Sequence, residues 1–150
     1  MPTRAFARSV TAGSRAAFIT AETGGRGTRF WRGPTGPPLR EGEVPFALLR
    51  RARVFHTDGI FPEAALAAAA SARRAGVAVV VDAGSLREGM LDLAGQSDVF
   101  IASESFARDL IGGGDPREAC RRLGELGPGL VGVTLGERGC VALGDGGLIE

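Results

Sequence analysis

Residues 129–150 read GLVGVTLGERGCVALGDGGLIE, and this stretch does most to decide the fold. Two short apolar segments flank a glycine-bearing turn, Thr134–Gly139. Glycine adopts positive φ and lets a backbone approach a bound group closely, and a threonine at a strand end offers a hydroxyl where open α/β sheets bind ligands. An ordinary hairpin turn explains the same residues equally well. The surrounding sequence therefore has to decide between a ligand-binding turn and a structural one.

The sequence upstream alternates apolar strands with amphipathic helices, which is typical of a parallel sheet with helices on its faces. We predict strands at 53–56, 77–81 and 98–102, helices at 61–75, 87–94, 103–111 and 115–127, and then two final strands. Pro62 suits a first helical turn, and Ser103 and Asp115 suit N-caps. The run Val77–Val81 lacks polar alternation, which predicts a strand buried on both faces. The predicted fold class is α/β with a mainly parallel sheet.

The first 45 residues differ in style from the rest. Residues 16–20 and 28–32 are predicted to pair as a hairpin around the turn Gly24–Gly27, and a loop rich in glycine and proline follows at 33–38. We therefore predict a small β element with its linker at 1–45 and an α/β core at 46–150.

Composition limits the class of protein. A length of 150 residues with 44% hydrophobic content fits a compact domain with a real core, and no apolar run is long enough to span a bilayer. The segment Met1–Val10 lacks the apolar stretch of a secretory signal. Cys120 and Cys140 have no metal-ligand spacing and fit a reducing compartment. We expect a cytoplasmic protein that does not associate with a membrane.

Charge is unevenly distributed along the chain. Residues 1–53 hold ten arginines against three acids, and residues 54–150 hold eight arginines against fourteen acids. The arginines are scattered among glycine, proline and aromatic residues, with no basic helix or recognition motif. We therefore do not predict nucleic-acid binding, and a solvated face or attraction for an anionic small molecule fits better.

Four short motifs follow one another in the α/β part: His56-Thr57-Asp58-Gly59, Val81–Ser85, Ile101–Glu104 and Val133–Gly139. Their order and spacing resemble the central part of the ribokinase-like carbohydrate kinases of the phosphofructokinase-B type. The resemblance covers most of residues 16–150. Each motif is weak alone, whereas four in register are fairly specific.

The resemblance implies a three-layer αβα sandwich with a small β lid, to which Ala16–Arg32 would belong. It implies transfer of the γ-phosphoryl of ATP to a sugar or sugar-like hydroxyl with Mg²⁺. The nucleotide-binding residues would be Thr134, Gly136, Gly139 and Ser103. Glu104 would help to hold the metal through water, and the substrate would meet Asp58, Gly59, Asp82 and Arg87.

Each of these residues also has a structural interpretation. Glu104 suits the first turn of a helix, where an acid is favourable. Turn chemistry explains Asp58 and Gly59, and a loop cap explains Asp82 with Arg87. The choice stays open at the level of sequence.

Two departures from the family pattern affect the expected activity. Many members carry an Asn-x-x-Glu motif where this chain has Ser103 to Phe106, and a phenylalanine cannot bind a metal. The family's Gly-Ala-Gly-Asp motif, which supplies the anion hole and the catalytic base, is expected after the last strands, and the N-terminal sugar-binding segment also has no counterpart here. We therefore expect a central fragment with negligible kinase activity alone, and self-association through uncovered sheet edges.

Two other functions compete with a kinase. A signalling receiver module would use Asp82 as phosphoacceptor after a buried strand, but the absence of lysine from the chain argues against it. A non-catalytic nucleotide- or sugar-binding remnant that acts through association is the stronger alternative.

Overall fold

The computed structural model describes Gly13 and residues 16–21, 27–33 and 35–149. Two predicted features, the segment Met1–Val10 and the turn residues 24–26, lie outside the described residues. The chain divides into two compact units, Met1–Leu39 and Arg40–Glu150. The division predicted after residue 45 stays a prediction.

The first unit contains the predicted hairpin. Its strands β1 (Ala16–Ala21) and β2 (Gly27–Arg32) pair antiparallel, with Ala16 opposite Arg32 and Ala21 opposite Gly27. Large apolar side chains of this ribbon are exposed, namely Phe18, Ile19, Phe30 and Trp31. The pairing predicted from the sequence is confirmed.

The second unit is built on a six-stranded sheet whose strands lie in chain order. They are β3 (Val54–Thr57), β4 (Ala78–Ala83), β5 (Val99–Ser103), β6 (Leu130–Thr134), β7 (Cys140–Gly144) and β8 (Gly147–Ile149). The strands from β3 to β6 pair in parallel, and β7 and β8 add antiparallel at one side. The predicted α/β class with a mainly parallel sheet is confirmed.

The four predicted helices occur in the predicted order, and a short helix that was not predicted precedes them. The helices of this unit are α1 (Phe46–Leu49), α2 (Pro62–Arg74), α3 (Met90–Ala94), α4 (Glu104–Ile111) and α5 (Pro116–Gly124). Helix α3 starts three residues later than predicted because Gly89, just before it, has φ 78° and so cannot be part of a right-handed helix. Helix α5 ends at Gly124, ahead of the predicted Gly127. Its N-cap is Asp115, as predicted, and the amide of Arg117 that bonds this carboxylate lowers the pKa of Asp115.

The strand connections place the helices on one face of the sheet. Because β3 to β6 are parallel and follow one another in order, right-handed crossovers put each connecting helix on the same side. The helices and the alternate strand residues accordingly share a single core, which includes Phe100, Phe106, Val131 and Leu123. The second unit thus forms two adjacent layers of an αβα sandwich.

The predicted burial of β4 on both faces is wrong. Val79 and Val81 are fully buried, whereas Ala78 and Asp82 are exposed and Val80 is half-buried. The apolar run shows that both sides of β4 carry apolar side chains, but it does not show what covers them. In the described structure only one side of β4 packs against a helix. Among the described residues, no helix combines the length and apolar character needed to cross a membrane.

Candidate functional site

The carboxyl ends of four parallel strands meet at one edge of the sheet, where open α/β sheets bind their ligands. Most of the predicted site residues lie at this edge: Asp58 and Gly59 just after β3, Asp82 near the end of β4, Ser103 and Glu104 where β5 becomes α4, and Thr134 at the end of β6. The fold therefore brings to one edge residues that are up to 76 positions apart in the sequence, from Asp58 to Thr134.

Ser103 ties the ends of two strands to a helix. Its Oγ accepts a hydrogen bond from the amide of Phe106 at 3.1 Å, which makes Ser103 the N-cap of α4 as predicted. The same hydroxyl donates to the carbonyl of Gly84 just beyond β4 at 2.9 Å, and it lies 2.8 Å from the Oγ of Ser105. This network fixes the first turn of α4 beside the end of β4.

The turn between β6 and β7 is a tight hairpin connection. Thr134 pairs with Cys140 across it, and the amide of Leu135 donates to the carbonyl of Gly139 at 2.8 Å. Gly136 and Gly139 have φ of 62° and 81°, values that side chains rarely tolerate. The hairpin interpretation and the ligand-binding interpretation are therefore compatible, because the turn has both a hairpin's bonding and glycines in positive φ.

The turn is open rather than packed. A Cβ built on Gly136 or on Gly139 would meet no described heavy atom within 4 Å. Thr134 lies beside Ser103 in the sheet register, and its Oγ1 contacts the carbonyl of Ala102 at 3.4 Å. Backbone and hydroxyl groups of the turn are thus accessible at the edge where Ser103 caps α4.

An ion pair links this turn to α4. Arg138, in the 3-10 turn Gly136–Arg138, donates from Nη2 to Oε1 of Glu104, the first residue of α4. Both side chains are exposed, at 63% and 50%. Exposed pairs of this kind contribute about 0–1 kcal/mol to stability, so the pair is easily broken by a competing partner.

Three residues that the sequence predicts to meet the substrate, Asp58, Gly59 and Arg87, form a second group. Arg87 donates from Nη2 to the carbonyl of Asp58 at 3.0 Å, and the Asp58 carboxylate accepts from the amide of Ile60 at 3.1 Å. Gly59 has φ 65° and is buried, and a Cβ on it would come within 2.7 Å of the Met90 sulfur. Gly59 is thus required for packing, whereas Asp58 and Arg87 present exposed polar groups.

Asp82 lies between these two groups. It pairs with Ile101 in the register of β4 and β5, and it is exposed. Its side chain belongs to the row that faces away from the helices. Nothing in the described structure pairs it with Arg87, so the joint role predicted for these two residues stays a prediction.

The carboxylates at this edge suit a metal that arrives with a ligand better than a resident metal. No group of three metal-ligating side chains exists among the described residues. Mg²⁺ is commonly held by one or two carboxylates together with the phosphates of a substrate. Glu104 supplies one such carboxylate, so the residues fit Mg²⁺ bound to a nucleotide.

A surface cleft of about 290 Å³ lies at the opposite edge of the sheet, at the start of β4. It is lined by Arg73, Gly76, Val77, Ala78 and Asp98, none of them a predicted site residue. Asp98 is already engaged, because its Oδ2 accepts from the amide of Val79 at 2.7 Å. The edge formed by the amino ends of the strands therefore has a structural function. The open edge formed by their carboxyl ends, here called the carboxyl edge, is the better candidate site.

Sequence reasoning missed Arg138 as a partner of Glu104. The two residues are 34 positions apart, and only the pairing of β5 with β6 brings them together. It also missed Ser105, which shares the Gly84 carbonyl with Ser103 at 3.3 Å. The clustering of serines after β5 was the available signal.

Comparisons with known proteins identify the family and the fold of this chain. The model of the pfkB family of carbohydrate kinases matches residues 2–150. No curated protein matches the chain.

Solved structures with the same fold cover nearly all of this chain. A PfkB protein from Polaromonas sp. JS666 is 24% identical with a TM-score of 0.75, over 93% of this chain and 54% of that one. Adenosine kinase from Sinorhizobium meliloti is 19% identical with a TM-score of 0.76, over 91% and 46%. A protein described as ribokinase II of E. coli, in complex with ATP and Mg²⁺, is 17% identical with a TM-score of 0.73, over 93% and 50%. The chain spans about half the length of these structures.

Proposed function

The chain belongs to the pfkB family of carbohydrate kinases, and we propose that it serves the ATP-dependent phosphorylation of a hydroxyl on a sugar or sugar-like molecule. The observation that carries this proposal is the open turn with Gly136 and Gly139 in positive φ, next to the capped start of α4. Both features offer backbone N–H groups at the edge of the sheet where anionic ligands bind.

In this proposal the nucleotide lies against the β6–β7 turn and the end of β5. Gly136 and Gly139 let the backbone approach it, and the hydroxyls of Thr134 and Ser103 lie at the adjacent strand ends. Glu104 meets the Mg²⁺ that accompanies the phosphates. The sugar or sugar-like substrate meets the second group, Asp58, Gly59 and Arg87, together with Asp82.

Phosphoryl transfer asks a protein mainly to position its reactants and to stabilise charge. The rigid sheet edge suits positioning, because the site residues stand at the ends of paired strands. Mg²⁺ would neutralise charge on the phosphates when it is bound. Arg87 is an exposed cation on the substrate side, held by the carbonyl of Asp58.

Nucleotide binding by the 150-residue chain tests this proposal. The residues contain no Gly-Ala-Gly-Asp motif, so binding is a more informative measurement than turnover. We expect weak binding of ATP or ADP by calorimetry, strengthened by Mg²⁺, and its loss in Gly136→Val. The β-branched side chain is strained at φ 62° and fills the space where the ligand would approach.

Gly76→Val is the matched control. Gly76 also has a positive φ, 70°, and also has open space at its Cβ position, but it precedes β4 at the opposite edge of the sheet. Both variants should lose similar stability in thermal unfolding, and only Gly136→Val should lose nucleotide. Equal nucleotide binding by the parent and Gly136→Val would remove the turn from the site.

A second function is favoured by one observation, the exposure of apolar side chains on the sheet face away from the helices. Val54 is 52% exposed, Leu130 40% and Ile149 63%. We propose as the alternative a non-catalytic nucleotide- or sugar-binding protein that acts through association, with this face or a sheet edge as its contact. Sedimentation velocity of the parent and Leu130→Gln distinguishes the two. Concentration-dependent association that the variant weakens supports the alternative, and a monomer at all concentrations contradicts it.

We also propose a cytoplasmic location. Both cysteines are free, and Cys140 is exposed. An exposed free thiol is most compatible with a reducing compartment.

A further inference from the structure

The ion pair between Arg138 and Glu104 has a feature that ordinary surface pairs lack. Two other pairs, Arg117 with Asp115 and Arg121 with Glu118, join near neighbours at α5 and its cap. Arg138 and Glu104 instead join the glycine turn to the start of α4, across 34 positions of sequence. The pair therefore bridges the two elements between which the nucleotide is proposed to lie.

We infer that Arg138 binds a phosphate of the nucleotide, and that Glu104 holds its guanidinium in place until the nucleotide arrives. This inference rests on the proposed nucleotide binding and names a further residue of that site. Arg138 stands in the turn between Gly136 and Gly139, so its backbone position is fixed by the same geometry that keeps the turn open.

The chemistry of the pair suits such an exchange of partners. A guanidinium matches a phosphate with two parallel hydrogen bonds, as it matches a carboxylate, so Arg138 can pass from one to the other without a new geometry. Its side chain is 63% exposed, and the pair with Glu104 is correspondingly weak. A phosphate group carries more charge than the carboxylate and should displace it.

The exchange also frees Glu104. While Arg138 holds its carboxylate, Glu104 has an engaged oxygen, whereas after the exchange both oxygens can meet a nucleotide-bound Mg²⁺ directly or through water. One movement of Arg138 would thus make its guanidinium available to a phosphate and the Glu104 carboxylate available to Mg²⁺.

Calorimetry of ATP, ADP and adenosine tests the inference, with the 150-residue chain and excess EDTA so that no metal contributes. We expect Arg138→Gln to weaken ATP and ADP binding roughly tenfold, because it removes charge-assisted hydrogen bonds to the phosphates. Its affinity for adenosine should stay within about twofold of the parent's. Arg138→Lys should recover part of the loss, because it restores the charge without the planar fork. Glu104→Gln should tighten metal-free ATP binding by about two- to fivefold, because it removes a competing partner of Arg138.

Arg121→Gln and Glu118→Gln are the matched controls. This pair has similar exposure, 51% and 60%, and lies within α5. Both controls should keep the parent affinity for ATP within about twofold.

The outcomes separate the inference from the function on which it rests. If the parent binds ATP and Arg138→Gln binds it equally well, the inference alone is overturned. Equal weakening of ATP and adenosine would show a structural role for Arg138 and would also overturn it, as would weaker metal-free ATP binding by Glu104→Gln. A parent chain that binds neither ATP nor adenosine overturns the proposed function and the inference together.

Discussion

The two faces of the six-stranded sheet are made from alternate residues of the same strands, yet their surroundings are opposite. On the helix-covered face, Val79, Phe100 and Val131 are all fully buried. On the other face, their strand neighbours Val80 and Val99 are half-buried and Leu130 is 40% exposed. A difference of one position along a strand therefore separates the core from the open surface.

The difference shows which face of the sheet contributes to stability and which face is available for ligand binding. The covered face gains stability from burial, because nearly all of its described strand residues are apolar and buried or half-buried. The open face carries Asp82, Ser103, Thr134 and Cys140 among its apolar residues, according to the strand register. Function in this sheet is thus expected on the open face and at its carboxyl edge, where loss of a side chain costs little stability.

The strongest contrast in stability is between two adjacent residues of β5. Phe100 is fully buried and meets Phe106 edge to face with ring centroids 5.5 Å apart. We expect Phe100→Ala to lower the free energy of unfolding by about 3–5 kcal/mol, because it leaves a cavity in the core. Ile101→Ala should cost about 1–2 kcal/mol, since Ile101 is half-buried on the open face. Urea unfolding of both variants measures the two values, and equal losses would mean that the open face is packed as tightly as the core.

The two cysteines give a second contrast, between the core and the open face of the sheet, which is smaller than the first. Cys120 of α5 is fully buried in the core, and Cys140 of β7 is exposed. Cys120→Ser should cost about 1–3 kcal/mol, because it buries a hydroxyl in an apolar site. Cys140→Ser should change the free energy of unfolding by less than about 0.5 kcal/mol. A similar loss in both variants, measured in the presence of reductant, would contradict this.

Local signals in the sequence were sufficient for most of the elements. Apolar runs located β3 to β7, and caps located α4 and α5 through Ser103 and Asp115. Helix α1 was missed because four residues, Phe46–Leu49, are too short to show a helical period. Strand β8 was not separated from β7, since its three residues follow a two-residue turn within one glycine-rich stretch.

Contacts between elements that are distant in the sequence were not predictable from local signals. The run Val77–Val81 has the same sequence whether helices cover one face of the strand or both, so its apolar character does not show what it packs against. The contacts of the candidate site were unpredictable for the same reason. Ser103 was identified as a cap from its position, but its bond to the Gly84 carbonyl and the pair between Glu104 and Arg138 depend on which strands are neighbours.

Hydrogen bonds at the carboxyl edge supply the third contrast. Ser103 caps α4 and bonds the carbonyl of Gly84 at 2.9 Å, whereas Ser105 is not the cap and contacts that carbonyl at 3.3 Å and the Oγ of Ser103 at 2.8 Å. Ser103→Ala should lower the free energy of unfolding by about 1 kcal/mol, the usual cost of a lost N-cap. Ser105→Ala should stay within about 0.5 kcal/mol of the parent. If Ser105→Ala were the more harmful change, the cap would not be the main function of this network.

The weakest contrast is a dependence of stability on alkaline pH that comes from the buried thiol of Cys120. Burial raises the pKa of the Cys120 thiol. The folded state therefore keeps this proton at pH values where the unfolded chain has lost it, so the stability that the neutral thiol contributes is complete below the ordinary thiol pKa of about 8.5 and falls as the pH rises above it. The chain has no lysine and no tyrosine, so fewer groups compete with the thiols in this pH range. Urea midpoints at several pH values should decline in the parent and in Cys140→Ser, and should be flatter in Cys120→Ser. A decline of the same steepness in Cys120→Ser would assign the effect to another group, because that variant retains only the exposed thiol.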